Sequence, residues 1–210
     1  MTTNKSARNL RLALLASSNL DLLQAPLIAQ LIKRGFSPTV WNPGFDQYRQ
    51  AILDPHSALY DNRTECVILF LDAADLFVEY LASFTEHSIE DVEKAVMGVA
   101  SEVSSLVHTI TLRLPSATIF LNTLFGDVSG TYYGMEYNSE FTFRQILSSY
   151  NAKLKELTHT SPSAVVVDVE MLAAFTGLER WYDPRMWYLG RIRYGAEAHK
   201  VLANEYANFI

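Results

Sequence analysis

Four short polar segments interrupt apolar runs in this 210-residue chain, and they carry the side chains best suited to chemistry: Ser17-Ser18-Asn19, Asn42-Pro43-Gly44, Asp72 to Asp75, and Asn122-Thr123. A serine hydroxyl becomes a nucleophile only when a base takes its proton. The carboxylates Asp72 and Asp75 could work as a pair or cap a following helical segment. A fifth segment, Trp181 to Tyr194, brings Arg185, Arg191 and Arg193. Guanidinium groups suit bidentate contact with phosphate or carboxylate, and equally suit internal ion pairs with Asp72, Asp75 or Asp183. Ser18 reads either as a nucleophile or as a hydroxyl serving helix N-terminal N–H groups, and Gly44 either as a turn glycine or as a point of close ligand approach. The five histidines, His56, His87, His108, His159 and His199, show no metal-ligand spacing. There is no P-loop, no G-x-G-x-x-G after the first apolar run and no zinc pattern, so no metal and no cofactor is expected.

The elements that must position these residues follow from periodicity. Leu12–Leu15 reads as a strand. Leu20, Leu23, Leu27, Ile28, Leu31 and Ile32 then recur at helical spacing up to Arg34-Gly35, with Pro26 expected in the first turn, where its missing N–H is harmless. Thr39–Trp41 reads as a second strand closed by the turn Asn42-Pro43-Gly44. Cys66–Leu71 is an unbroken apolar run of the kind buried on both faces of a sheet. Ser88 and Asp91 open a long helix in capping-box style, with Val92, Val96, Val99, Val103, Leu106, Val107 and Ile110 on its core face and Pro115 at its end. Thr118–Leu121 is a fourth strand, 126–139 a loop rich in Gly, Tyr and Ser, Phe143–Leu157 a helix, Val165–Val169 a fifth strand and Ala196–Phe209 a final helix. Strands alternating with helices imply right-handed crossovers and a parallel sheet covered on both faces, a three-layer αβα arrangement. The four polar segments then gather at one rim of the sheet, and 181–194 closes over them.

The totals narrow the class. Residues 1–9 read as a disordered polar tail and 10–210 as one domain, since 210 residues with 49% hydrophobic content suffice for one sizeable core. A net charge of −6 without a Lys/Arg block argues against nucleic acid or an anionic membrane as the main partner. Cys66 is the single cysteine, so no internal disulfide exists, and it reads as a small core residue. No apolar stretch is read as membrane-spanning and no signal-type segment opens the chain, so a cytoplasmic protein is expected.

A strand followed by Ser, a Gly after strand two, an acidic turn after strand three and a loop before the last helix together resemble the SGNH (GDSL-like) hydrolases. That resemblance implies a five-stranded parallel sheet in the flavodoxin-like strand order. Ala16-Ser17-Ser18 stands where the family has Gly-Asp-Ser, which puts Ser18 at the nucleophile, and Gly44 fits the oxyanion glycine. Leu71-Asp72-Ala73-Ala74-Asp75-Leu76 stands at Leu-Gly-x-Asn-Asp-Leu, so Ala74 replaces the oxyanion asparagine. Residues 190–199 align with the catalytic Asp-x-x-His segment, so Gly190 and Arg193 replace the Asp and the His. An arginine stays protonated and cannot serve as the base.

A second resemblance spans nearly the whole chain. Gly44-Phe45-Asp46-Gln47-Tyr48-Arg49-Gln50, Ile52-Leu53-Asp54-Pro55, Ser57-Ala58-Leu59-Tyr60, Leu71–Leu76 and Trp181-Tyr182-Asp183 with Arg185-Met186-Trp187-Tyr188 are similar to the N-terminal domain of FkbH-like proteins. The resemblance implies an SGNH-like domain joined, in cis or in trans, to a haloacid-dehalogenase-type (HAD) phosphatase domain. The whole enzyme would load a glyceryl unit from a phosphorylated glycerate onto an acyl carrier protein for polyketide synthesis. This domain is then expected to bind substrate or carrier without hydrolysing, with Ser17, Asn19, Gly44, Asp72, Asp75, Asn122, Arg185, Arg191 and Arg193 lining the site. Trp181, Tyr182, Trp187 and Tyr188 form either a docking surface or core. The alternative is an active SGNH-type esterase or acyltransferase using Ser18.

Overall fold

The computed structural model of the chain describes residues 7–61, 63–82, 87–126 and 140–210, without the side chains of 81 and 82. Strands β1 (Arg8–Ala16), β2 (Phe36–Trp41), β3 (Cys66–Phe70), β4 (Thr118–Asn122) and β5 (Ala164–Val167) form one parallel sheet in the order β2-β1-β3-β4-β5. The order reverses between β1 and β3, so a crevice opens at the carboxyl ends of these two strands. The first strand is longer than its apolar run. Arg8 and Asn9 pair with Phe36 and Ser37, so they belong to the sheet and not to the tail.

Strand alternation sends side chains to two cores. Ala13 and Leu15 of β1 and Val67 and Leu69 of β3 face one core, together with α2 (Tyr48–Leu53), α6 (Ile89–Arg113) and α7 (Phe143–Thr160). Leu12, Leu14 and Ala16 with Cys66, Ile68 and Phe70 face the other, covered by α1 (Asp21–Lys33), α8 (Val169–Thr176) and α11 (Ala196–Phe209). Every residue of β3 is buried, as its continuous apolar run requires. Burial first, and Glu65 second, push the Cys66 thiol up to about 11.

The capping box at Ser88 is present in full: its hydroxyl accepts from the Asp91 N–H and the Asp91 carboxylate accepts from the Ser88 N–H. By length and composition α6 alone among the described residues could cross a membrane, contrary to the sequence expectation of none. It packs instead on α2 and α7 through Val92, Val96, Val103, Leu106, Val107 and Ile110. Pro26 lies beyond the first turn of α1, which begins at Asp21. The carbonyl it leaves without an N–H partner is that of Leu22, on the exposed face of the helix, where water can serve it. The fifth strand ends at Val167, because Asp168 turns away to cap α8 through the Met171 N–H. Short helices that carry no periodic signal complete the fold: α3 (Ala58–Asp61), α4 (Ala73–Leu76), α5 (Val78–Ala82), α9 (Leu178–Trp181) and α10 (Pro184–Gly190). The expected loop over 126–139 lies outside the described residues except for Gly126.

Candidate functional site

At the switch between β1 and β3 the chain brings together Ser17, Asp72, Asp75, Arg193 and Tyr194. Ser17 follows β1 on the face of Ala13 and Leu15, and its N–H donates to the Phe70 carbonyl at 3.1 Å. Its hydroxyl donates to Asp75 Oδ2 at 3.0 Å and accepts from the Asp72 N–H at 2.9 Å. Asp72 caps α4 through Oδ1, which accepts from the Ala74 N–H at 2.9 Å. Its Oδ2 accepts from the Tyr194 hydroxyl and lies 3.4 Å from Arg193 Nε. Arg193 Nη2 donates to Asp75 Oδ1 at 2.5 Å.

The charges in this cluster are coupled. Burial first, and the neighbouring Asp72 second, raise the pKa of Asp75 against the lowering influence of Arg193 and Ser17. For Arg193 burial acts downward, but the Asp72 and Asp75 carboxylates outweigh it and the net direction is up. Complete burial, followed by Asp72, holds the Tyr194 phenol well above its ordinary value. The cluster therefore holds a phenol that keeps its proton and a fixed cation set between Asp72 and Asp75.

Arg193 owes its place to a short antiparallel bridge between Tyr182 and Tyr194. The Asp183 N–H donates to the Arg193 carbonyl at 3.1 Å, and the Gly195 N–H donates to the Trp181 carbonyl at 2.8 Å. A Cβ at Gly195 would stand 3.1 Å from the Arg180 carbonyl oxygen, so a side chain there would force the bridge to give by a few tenths of an ångström. The guanidinium lies 4.1 Å from the centroid of the Trp187 ring, a cation–π contact that fixes its outer face.

The remaining candidate residues are placed differently. The Ser18 hydroxyl is buried on the opposite face from Ser17 and meets no hydrogen-bond partner among the described residues. Asn19 is bound into the turn: Oδ1 accepts from the Asp21 N–H and Nδ2 donates to the Gly190 carbonyl, at 2.9 and 3.0 Å. Gly44 has φ +103°, the left-handed region, and its N–H donates to Asn42 Oδ1 at 2.9 Å. Asn122 is buried and reads the Leu71 backbone with both ends of its amide, accepting at 2.8 Å and donating at 2.9 Å. Arg185 is exposed and pairs with Asp183 at 3.4 Å. Arg191 is exposed, takes φ +57° at the end of α10, and lies 4.8 Å from the Trp187 ring.

Of the aromatic residues, Trp181 is fully buried and Tyr188 is 88% exposed, with Tyr182 and Trp187 between these extremes. Sequence reasoning missed Tyr194, whose only signal is its place next to Arg193. It also set Ser18 above Ser17. The period of two along β1 was the available signal, since it puts Ser17 and Ser18 on opposite faces.

His199 is buried, and its Nδ1 is 2.9 Å from the Gly195 carbonyl, which fixes Nδ1 as the donor and leaves Nε2 without a partner among the described residues. Burial lowers its pKa, with the Gly195 carbonyl acting the other way. Neither Ser17 nor Ser18 hydrogen-bonds an imidazole among the described residues. No group of three or more His, Cys, Asp or Glu among them could hold a metal ion.

Two cavities flank Arg193. One, of about 290 Å³, is lined by Phe125, Phe143, Tyr182, Trp187 and Tyr188 around Asp72 and Asp183. The other, of about 320 Å³, is lined by Ser17, Phe45, Asp46, Tyr48, Arg49 and Asp75. Ala74, Trp187 and Arg193 line both.

Solved structures share this architecture. The N-terminal part of the protein BF1531 from Bacteroides fragilis, described as containing a phosphatase domain complexed with Mg, superposes with a TM-score of 0.79 at 17% identity. The match covers 96% of this chain and 51% of that one, so this chain spans about half the length of that structure. A protein from Parabacteroides merdae described as a GDSL-like lipase matches with a TM-score of 0.62 at 10% identity, over 96% of this chain and 95% of that one. The acetylxylan esterase Axe2 from Geobacillus stearothermophilus matches with a TM-score of 0.63 at 15% identity, over 97% and 95%. The fold is thus the SGNH (GDSL-like) hydrolase type. A comparison with curated proteins finds no match. The family model for the FkbH N-terminal domain matches residues 11–210, nearly the whole sequence, and the chain belongs to that family.

Proposed function

We propose that this chain is a non-hydrolytic binding domain of an FkbH-like enzyme. It holds substrate or an acyl carrier protein in the cytoplasm, beside a HAD-type phosphatase domain supplied in cis or in trans. The whole enzyme would move a glyceryl unit from a phosphorylated glycerate onto the carrier for polyketide synthesis. What carries the reading is Arg193: it stands where an SGNH hydrolase needs its base, and it is fixed between Asp72 and Asp75. An arginine held so cannot accept a proton from a serine.

Two further observations support it. The Gly44 N–H is engaged by Asn42 and position 74 is an alanine, so the two donors of an SGNH oxyanion hole are not offered to a ligand. Losing one such donor alone typically costs ~10²–10³ in rate. The phosphatase domain named for the BF1531 structure, of which this chain matches about half, supports the partner domain.

The test is ester turnover with p-nitrophenyl acetate by the protein and by Ser17→Ala and Ser18→Ala. The expected result is the same background rate for all three, together with binding of a carrier protein. Turnover abolished by Ser18→Ala would show an active hydrolase and overturn the reading.

A further inference from the structure

The cluster at Arg193 is closed upon itself. All four carboxylate oxygens of Asp72 and Asp75 already accept a hydrogen bond, from the Ala74 N–H, the Tyr194 hydroxyl, Arg193 Nη2 and the Ser17 hydroxyl. One guanidinium stands against two carboxylates. Asp183 and Asp46 add further acid to the walls, and Arg49 in the second cavity is paired with Glu102. Among the described lining residues the first cavity sets Asp72 and Asp183 against Arg193, and every cation of the second, Arg193 and Arg49, already faces a carboxylate, so a phosphate or carboxylate would find no cation without an acidic partner. A cationic ligand would face Arg193 and find the site carboxylates occupied.

What the cluster leaves open is a donor. Arg193 Nη2 donates to Asp75 and Nε lies 3.4 Å from Asp72 without a hydrogen bond, while no partner of Nη1 is found among the described residues, and the residue lines both cavities. Its remaining N–H groups suit an uncharged carbonyl oxygen. On either side the walls are aromatic: Phe125, Phe143 and Tyr182 in one cavity, Phe45 and Tyr48 in the other, with Trp187 in both. Ala74, Trp187 and Arg193 line both cavities, so the two meet at these residues, where position 74 presents only a methyl group.

Resting on the carrier-binding reading above, we propose that this crevice receives an uncharged, extended chain with amide or thioester carbonyls, the chemistry of a pantetheine arm, and that a phosphorylated acid does not bind in it. Arg193 positions a carbonyl midway along the chain, and the aromatic walls hold its methylene segments on both sides. A phosphate at the distal end of such a chain would remain outside.

Calorimetric titration of the protein with pantetheine, 4′-phosphopantetheine and 3-phosphoglycerate tests this. The first two are expected to bind with dissociation constants within about threefold of each other and little changed by salt, since no ion pair forms. No heat is expected from 3-phosphoglycerate at tenfold higher concentration. Ala74→Phe, which fills the junction, is expected to weaken pantetheine at least tenfold, and Ala74→Val serves as a milder block if the larger side chain prevents folding. Absence of pantetheine binding, pantetheine binding indifferent to both position-74 variants, or 3-phosphoglycerate binding that Ala74→Phe weakens would each overturn the proposal. Titration with apo and holo carrier protein separates it from the reading on which it rests. Equal binding of the two forms defeats the crevice proposal and leaves carrier binding standing, whereas failure of both forms, with pantetheine still bound, defeats carrier binding alone.

Discussion

Removing the Arg193 guanidinium would leave Asp72 and Asp75 facing each other with only the Tyr194 and Ser17 hydroxyls and the Ala74 N–H to stabilise them. Arg193→Met is therefore expected to lower the unfolding free energy by about 3 kcal/mol, the scale for orphaning a buried charge, as read from urea denaturation. His199 carries a separate prediction. Burial lowers its pKa, so the folded protein keeps it neutral while the unfolded chain takes up a proton near the ordinary histidine value, about 6.5. Between the lowered folded value and that ordinary one, the unfolded state binds more protons, so stability rises with pH there and is lost on acidification. Urea midpoints measured at pH 7.5 and pH 5.5 should fall for the wild type, with a smaller fall for His199→Asn, whose amide can still donate to the Gly195 carbonyl. A midpoint that falls equally in both proteins would place the acid-sensitive group elsewhere.

At the level of elements, the Tyr182–Tyr194 bridge fixes where Arg193 can reach. Gly195→Ala sets a Cβ against the Arg180 carbonyl oxygen, a backbone atom that cannot rotate away. The expected loss is about 1–3 kcal/mol, the range for overpacking. A paired signature should accompany it: Trp187 fluorescence shifts as Arg193 moves off its ring.

How legible each element was depended on how strongly its own residues spoke. The β3 run and the Val-rich face of α6 were readable because burial on both faces of a sheet, or on one face of a long helix, leaves a periodic trace. The helices α4, α5, α9 and α10 span four to seven residues and carry no period, so the loop before α11 gave no hint that it pairs with itself. The ion pairs of Arg193 stood among the alternatives that the sequence offered, but choosing between an internal pair and a bound anion required the fold. The alignment to Gly-Asp-Ser puts Ser18 at the nucleophile and Ser17 among the binding residues, whereas the alternation along β1 is what sends the two hydroxyls to opposite faces.

Across the whole molecule, β1 and β3 contribute side chains to both cores, so neither layer of helices can detach while the other stays packed. Thermal unfolding followed by far-ultraviolet circular dichroism and by tryptophan fluorescence should give coincident transitions. Trp181 lies in one core and Trp41 packs on the other, so the fluorescence reports both. The packing of α1 against α11 has a kinetic consequence. The crevice takes Ser17 from the end of β1, Asp72 and Asp75 from beyond β3, and Arg193 from the turn into α11, so its contacts carry a high sequence separation. Each closes a long loop whose entropy must be overcome before the contact gives any return. As the chain leaves the ribosome, Asp72 and Asp75 emerge well before Arg193, their counter-ion. The acidic pair thus stays hydrated until the last helix docks, and the crevice is among the final features of the domain to mature.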